Sequence, residues 1–202
     1  MNDHLRPAPF PPTTQAAEGL PRRRWSVAEI EAMVAKGIIA EDERFELIGG
    51  EVVPMSPKGA RHELVKIALN RFFQRVAPDH LEIAPETTLR LDKDSFVEPD
   101  FCVFRRGLDL KALDGAAVLL AVEIADTSLA YDRGRKIEIY GAYGVREVWV
   151  VNANTLSTRV HRELAQGNYG HTPDVPYGQR LEPVLAPELA VSLADLGLTP
   201  IS

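Results

Sequence analysis

A chain of 202 residues, 45% hydrophobic and 26% charged, is long enough to bury a core and too apolar to be disordered over most of its length. Its net charge of -6 argues against a polybasic nucleic-acid binder but leaves room for a local basic groove. The single cysteine, Cys102, excludes an internal disulfide and a cysteine-rich zinc site.

The first 24 residues hold Pro7, Pro9, Pro11, Pro12 and Pro21 and few large apolar side chains. They are expected to form a flexible tail, with Arg22-Arg23-Arg24 as a solvated linker, and residues 25–202 to form one domain. No apolar leader stretch is visible, and the longest apolar run, Ala116 to Val122, is far below the roughly 20 residues of a membrane span. A cytoplasmic protein is expected.

Ser26-Val27-Ala28-Glu29 is a capping-box pattern, so a short helix should start there. Ile30, Met33 and Val34 give its apolar face, and Gly37 ends it. Arg44–Leu47 and Glu51–Met55 flank Gly49-Gly50, which predicts a hairpin, and Pro54 places the second strand at an edge. After the Pro57-Lys58-Gly59 break, Leu64, Ile67, Ala68, Phe72 and Val76 recur at helical spacing and predict a helix over Ala60–Val76.

Glu86–Leu91 alternates as a half-buried strand does. Pro99–Phe104 is a further strand and Ala117–Ala125 the central one. A helix is expected from about Asp132 to Tyr143, closed by Gly144, and then strands at Arg146–Val151 and Ser157–His161. Past Gly167 the chain is punctuated by Pro and Gly and offers only a short apolar end at Val191–Leu198. This order predicts an α/β sandwich, a mixed sheet with helices packed on it.

Two acids stand in apolar strands. Asp100 precedes Phe101-Cys102-Val103-Phe104, and Glu123 ends the AVLLAV run. A buried carboxylate is costly unless paired or metal-bound. Converging on one end of a sheet, the two would suit Mg²⁺, which takes one or two carboxylates and keeps its waters. The plainer alternative pairs each acid with an arginine.

Lys136 has Asp132 and Tyr140 at i-4 and i+4, on one helix face. An ammonium near two carboxylates can orient a water or stabilise a phosphorane-like transition state. Alternatively it makes an ordinary surface pair with Asp132, worth about 0.3–0.5 kcal/mol. Glu46 lies opposite Phe45 and Leu47 by alternation, as a third acid or simply facing solvent. His62 and Lys66, at i and i+4 beside Lys58 and Arg61, form a phosphate-contacting edge or a solvated helix end. Nucleotide-loop, serine-hydrolase and zinc-protease motifs are absent.

The ordered set ELIGGE, MSP with a following His, PD, VEI, D-x-x-x-K-x-x-x-Y and GV-x-E-x-W spans about residues 25 to 165. In it the chain resembles the Uma-two family, classed with restriction endonucleases in the PD-(D/E)XK nuclease superfamily. The resemblance implies a restriction-endonuclease-like fold, an α/β (α+β) mixed sheet flanked by helices.

It also implies roles. Asp100 is the acid of the PD motif and Glu123 the second acid. With the Ile124 carbonyl they would hold Mg²⁺ or Mn²⁺. The lysine usual two residues after the second acid is Ala125 here, and Lys136 matches a lysine displaced to the next helix. Glu46 is the extra acid. His62, Lys66 and Tyr140 are expected at the substrate. Where the family has a serine, this chain has Asp126.

The implied activity is metal-dependent endonucleolytic hydrolysis of DNA, with weak, salt-sensitive contacts from Lys58, Arg61, Lys66, Arg71 and Arg75. A homodimer would supply two sites for two strands. The acidic balance, Ala125 and Asp126 motivate a rival: a nuclease fold kept for binding, its chemistry lost. A toxin-like or mobile-element nuclease needing a partner is a third reading.

Overall fold

The computed structural model describes residues 23–126 and 134–201. Most of the expected tail (residues 1–22), and Asp132, lie outside the described residues. Helix α1 (Val27–Ala35) starts where the capping box places it. Ser26 Oγ accepts from Glu29 N at 3.2 Å, and Glu29 Oε2 accepts from Ser26 N at 2.9 Å.

Strands β1 (Phe45–Ile48) and β2 (Glu51–Pro54) pair antiparallel from Phe45↔Pro54 to Ile48↔Glu51. Their two-residue turn needs positive φ at both positions, met by Gly49 at +58° and Gly50 at +81°. β2 is the edge strand, as Pro54 indicates. The sheet continues through β5 (Ser95–Val97) to β4 (Leu89–Asp92), in the order β2-β1-β5-β4.

The larger sheet is seven-stranded. Its order is β10 (Asn168–His171), β9 (Thr158–Ala165), β8 (Val148–Asn152), β7 (Leu120–Ala125), β6 (Phe101–Arg105), β3 (Leu81–Pro85), with β11 (Asp174–Val175) also on β9. β7 and β8 run parallel, and the other pairings are antiparallel, so the sheet is mixed as expected.

Every residue of β7 is buried, because helices cover both faces. On one face Val65, Leu69 and Phe73 of α2 (Ala60–Val76) share a core with Phe101, Val103, Val122 and Ile124. On the other, Ile137 and Tyr140 of α3 (Arg135–Ala142) pack with Cys102, Ala121, Val148 and Val150. None of the helices among the described residues is long and apolar enough to cross a membrane.

The structure departs from the sequence expectations in four places. β4 begins at Leu89 and not at Glu86, because Glu86 has φ +50° and turns the chain out of β3. β3, interrupted by Glu82 and ending on Pro85, and β5, only three residues long, do not stand out in the sequence.

The buried stripe of α2 is also rotated from the expected set. Leu64 and Ile67 are 54% and 51% exposed, while Val65, Leu69 and Phe73 are in the core. The same rotation turns His62 inward. Finally, the segment after Gly167 is core: Leu181, Leu189, Val191 and Leu193 pack in the α2 cluster.

Truncating the buried stripe should therefore cost far more than truncating the outer one. Phe73→Ala is expected to lose about 3–5 kcal/mol of unfolding free energy, and Leu64→Ala less than about 0.5. Urea denaturation of the two variants measures both values, and equal losses would contradict the observed rotation.

Candidate active site

Asp100 stands one residue before β6 and Glu123 within β7, and these neighbouring strands pair through Phe101↔Val122. The register brings both acids to one end of the sheet, where each is nearly inaccessible. Ile124 N donates to Asp100 Oδ2 at 2.7 Å, so the second strand holds the first acid directly. His62 Nε2 meets the same oxygen at 3.0 Å, and Lys58 Nζ donates to Oδ1 at 2.7 Å. Burial pushes the Asp100 carboxyl upward, but the His62 hydrogen bond and the Lys58 charge outweigh it and hold the pKa down at about 2.

Glu123 is held from the opposite face of the sheet. Lys136 Nζ lies 2.9 Å from Glu123 Oε1 and 2.8 Å from Glu46 Oε1. Tyr140 Oη donates to the same Glu123 oxygen. One turn of α3 separates Lys136 from Tyr140, so both reach the same carboxylate. Glu46 arrives from the small sheet, and its Oε1 also accepts from Glu98 N at 3.2 Å. Burial lowers the Lys136 pKa, yet Glu123 and Glu46 more than reverse this and keep it an ammonium. Burial, then the charges of Glu123 and Glu46, push the Tyr140 phenol well up.

Burial decides against the solvent-facing readings of Lys136 and Glu46. Among the described residues Asp100 pairs with Lys58 and Glu123 with Lys136, and Lys136 is buried, not on a surface. Glu46 is buried too.

A cleft of about 370 Å³ opens onto these groups. Among the described residues, five carboxylates line it (Glu46, Glu98, Asp100, Glu123, Asp126) against two ammonium groups, Lys58 and Lys136. Asp126 Oδ1 accepts from Asn154 Nδ2 at 3.0 Å. Its Oδ2 crowds Gly59, where a Cβ would come within 2.7 Å, so the start of α2 passes close to this acid.

The donor set is oxygen-rich and carries excess negative charge, which suits a hard divalent cation. Among the described residues no group of three or more His, Cys, Asp or Glu closes into a metal cage.

The remaining expected residues divide. His62 lines the cleft. Lys66 does not. It bonds Glu63 at 2.8 Å and Glu86 at 3.1 Å in an adjoining groove. Tyr140 is fully buried outside the cleft lining, so it acts on Glu123 and not on a bound chain.

Arg61 is committed to the fold, donating to Ala153 O at 2.8 Å and to Thr199 O. Arg71 and Arg75 are exposed. Two features escaped the sequence: the contact of Lys58 with Asp100, and Glu86. Burial pushes the Glu86 carboxyl up, but Lys58 and Lys66 hold it at about 2. A lysine in a Pro-Lys-Gly loop carries no local signal of the carboxylate it meets.

A comparison with solved structures places the fold beside a protein described as a "putative nuclease belonging to DUF820" from Anabaena variabilis ATCC 29413. The TM-score is 0.64 at 15% identity, over 85% of this chain and 96% of the other. A comparison with curated proteins gave no match. The Uma2 family profile, described as "Putative restriction endonuclease", matches residues 27–194 and takes in every site residue named above, and the chain belongs to that family.

Proposed function

We propose that the protein is a divalent-metal-dependent endonuclease that hydrolyses phosphodiester bonds in DNA. The observation that carries this reading is that Asp100, just before β6, and Glu123, on the adjacent strand β7, line one acidic cleft, with Lys136 against Glu123. Asp100, Glu123 and the Ile124 carbonyl would hold Mg²⁺ or Mn²⁺. When bound, the ion supplies charge neutralisation at the scissile phosphate and a lowered pKa for water.

The protein's own groups set the stage. His62 and Ile124 N fix Asp100 Oδ2, which leaves Oδ1 to Lys58. Tyr140 and Lys136 orient Glu123. Lys136, kept charged between two carboxylates, serves as an N–H donor and a fixed positive charge, not as a proton acceptor. The surplus of carboxylates repels a phosphate chain until a cation is present, so DNA binding should be weak, metal-assisted and salt-sensitive.

Asp100→Asn and Glu123→Gln should each lower Mg²⁺-dependent cleavage of plasmid DNA by roughly two orders of magnitude or more. Undiminished cleavage by either variant would sink the assignment.

An inactive binding module makes the opposite statement about stability. If the acids merely repelled each other, neutralising one would stabilise the fold. Here Asp100 meets Lys58 and Glu123 meets Lys136, so Glu123→Gln should destabilise the metal-free protein by about 1–3 kcal/mol in urea denaturation. A gain in stability would favour the module.

Acid should unfold the protein by the same logic. Asp100 and Glu86 have folded pKa values of about 2, below their unfolded values of roughly 3.9 and 4.3. Their stabilisation is therefore present above about pH 4 and is lost as pH falls through 2. Thermal melts from pH 6 to pH 2 should show this loss, and Glu86→Gln should flatten it.

A further inference from the structure

Asp100 has one oxygen to offer a bound cation. A carboxylate oxygen has two lone-pair sites, and those of Oδ2 are taken by His62 Nε2 at 3.0 Å and Ile124 N at 2.7 Å. Oδ1 remains, and Lys58 Nζ is on it at 2.7 Å. A divalent ion and an ammonium on the same oxygen would sit within a few ångströms of each other, positive charge against positive charge. A cation that takes Oδ1 must displace the lysine.

We propose that Lys58 is an internal counter-cation that holds the Asp100 side of the site in the metal-free protein, competes with the divalent ion for Oδ1, and thereby sets metal affinity. The inference rests on the metal-dependent reading above and extends it to a residue outside the two-acid-plus-lysine set.

Three further observations support exchange over a fixed structural pair. Lys58 lies in the irregular stretch 55–59 between β2 and α2, outside any helix or strand ladder. Its ammonium already touches Glu86 Oε1, so it can leave Asp100 without losing a carboxylate partner. Glu86 faces the adjoining groove, with Arg44 and Lys66, and not the main cleft. The place the lysine would move to therefore lies clear of the space a metal would occupy.

The arrangement also explains how a buried Asp100 stays compensated in the absence of metal. The second ammonium, Lys136, is different: it sits on a helix, and both of its carboxylate partners among the described residues line the cleft itself.

The test is calorimetric titration of Mn²⁺ into the full chain, comparing the parent with Lys58→Gln, Lys58→Met, Lys58→Arg and Asp100→Asn. Circular dichroism checks the fold of each, and Lys58→Met keeps the apolar stem should Lys58→Gln fold poorly. Removing the competitor should tighten Mn²⁺ binding about five- to tenfold in Lys58→Gln and Lys58→Met. Lys58→Arg, which keeps the charge, should bind no tighter than the parent, and Asp100→Asn should lose binding. Without metal, the Lys58→Gln melting temperature should fall below that of the parent, and added Mn²⁺ should raise it by more.

Unchanged or weaker binding in the neutral variants, with an intact Asp100-dependent site in the parent, overturns the competition but not the metal site. No binding in any form overturns the metal-dependent reading and this inference with it. Binding in Lys58→Gln but not in the parent supports the competition in its strongest form.

Discussion

The structure around the cleft depends on one buried ammonium. Lys136 lies between Glu123 of the main sheet and Glu46 of the small sheet, nearly inaccessible to water. A lysine in that position is tolerable only because two carboxylates meet it. The contact joins the β1–β2 hairpin to β7 and α3, which already share a core through Ala121, Ile137 and Tyr140. Remove either acid, and an ammonium is left with half its compensation in a low-dielectric site.

Asp100 repeats the pattern on the other side of the sheet, with different hardware. There the compensation comes from the start of α2 and the loop before it, through His62 and Lys58. Both acids are thus locked in orientation by groups behind or beside them, while the cleft side stays rich in carboxylate oxygen. Buried ion pairs of this kind contribute little net stability, because desolvation offsets their attraction. Their value is geometric. They hold two acids on adjacent strands in fixed poses, as a site that must position a cation and a phosphate requires.

The two packed faces do different work. The α2 face is conventional core, Val65, Leu69 and Phe73 against Phe101 and Val122, and the C-terminal segment closes it. The α3 face mixes apolar contact with the Lys136–Tyr140 pair, so its packing and its chemistry are inseparable. Arg61 and Glu147 belong to the first kind. Arg61 ties α2 to Ala153 and Thr199 through their carbonyls. Glu147 accepts hydrogen bonds from Trp149 Nε1 and Val184 N, both at 2.8 Å.

Much was legible in the sequence where the signal is local. The capping box of Ser26 and Glu29, the Gly49-Gly50 turn, the edge role of Pro54, the span of α2 and the buried run of β7 follow from short-range rules of backbone geometry and burial. Asp100 and Glu123 stood out because a charge in an apolar strand is anomalous on its own. What the tertiary structure alone decided is pairing. The set Leu64, Ile67, Ala68, Phe72, Val76 and the set Val65, Leu69, Phe73 are both helically spaced, and only contact with the sheet buries the second fully, leaves Phe72 and Val76 at its margin, exposes Leu64 and Ile67, and turns His62 toward Asp100. Lys136 and Glu46 lie 90 residues apart along the chain, and Lys58 and Asp100 lie 42 apart. No local pattern records such contacts, because a charge in a loop or on a helix looks the same in sequence whether it faces water or a carboxylate that folding brings from another strand.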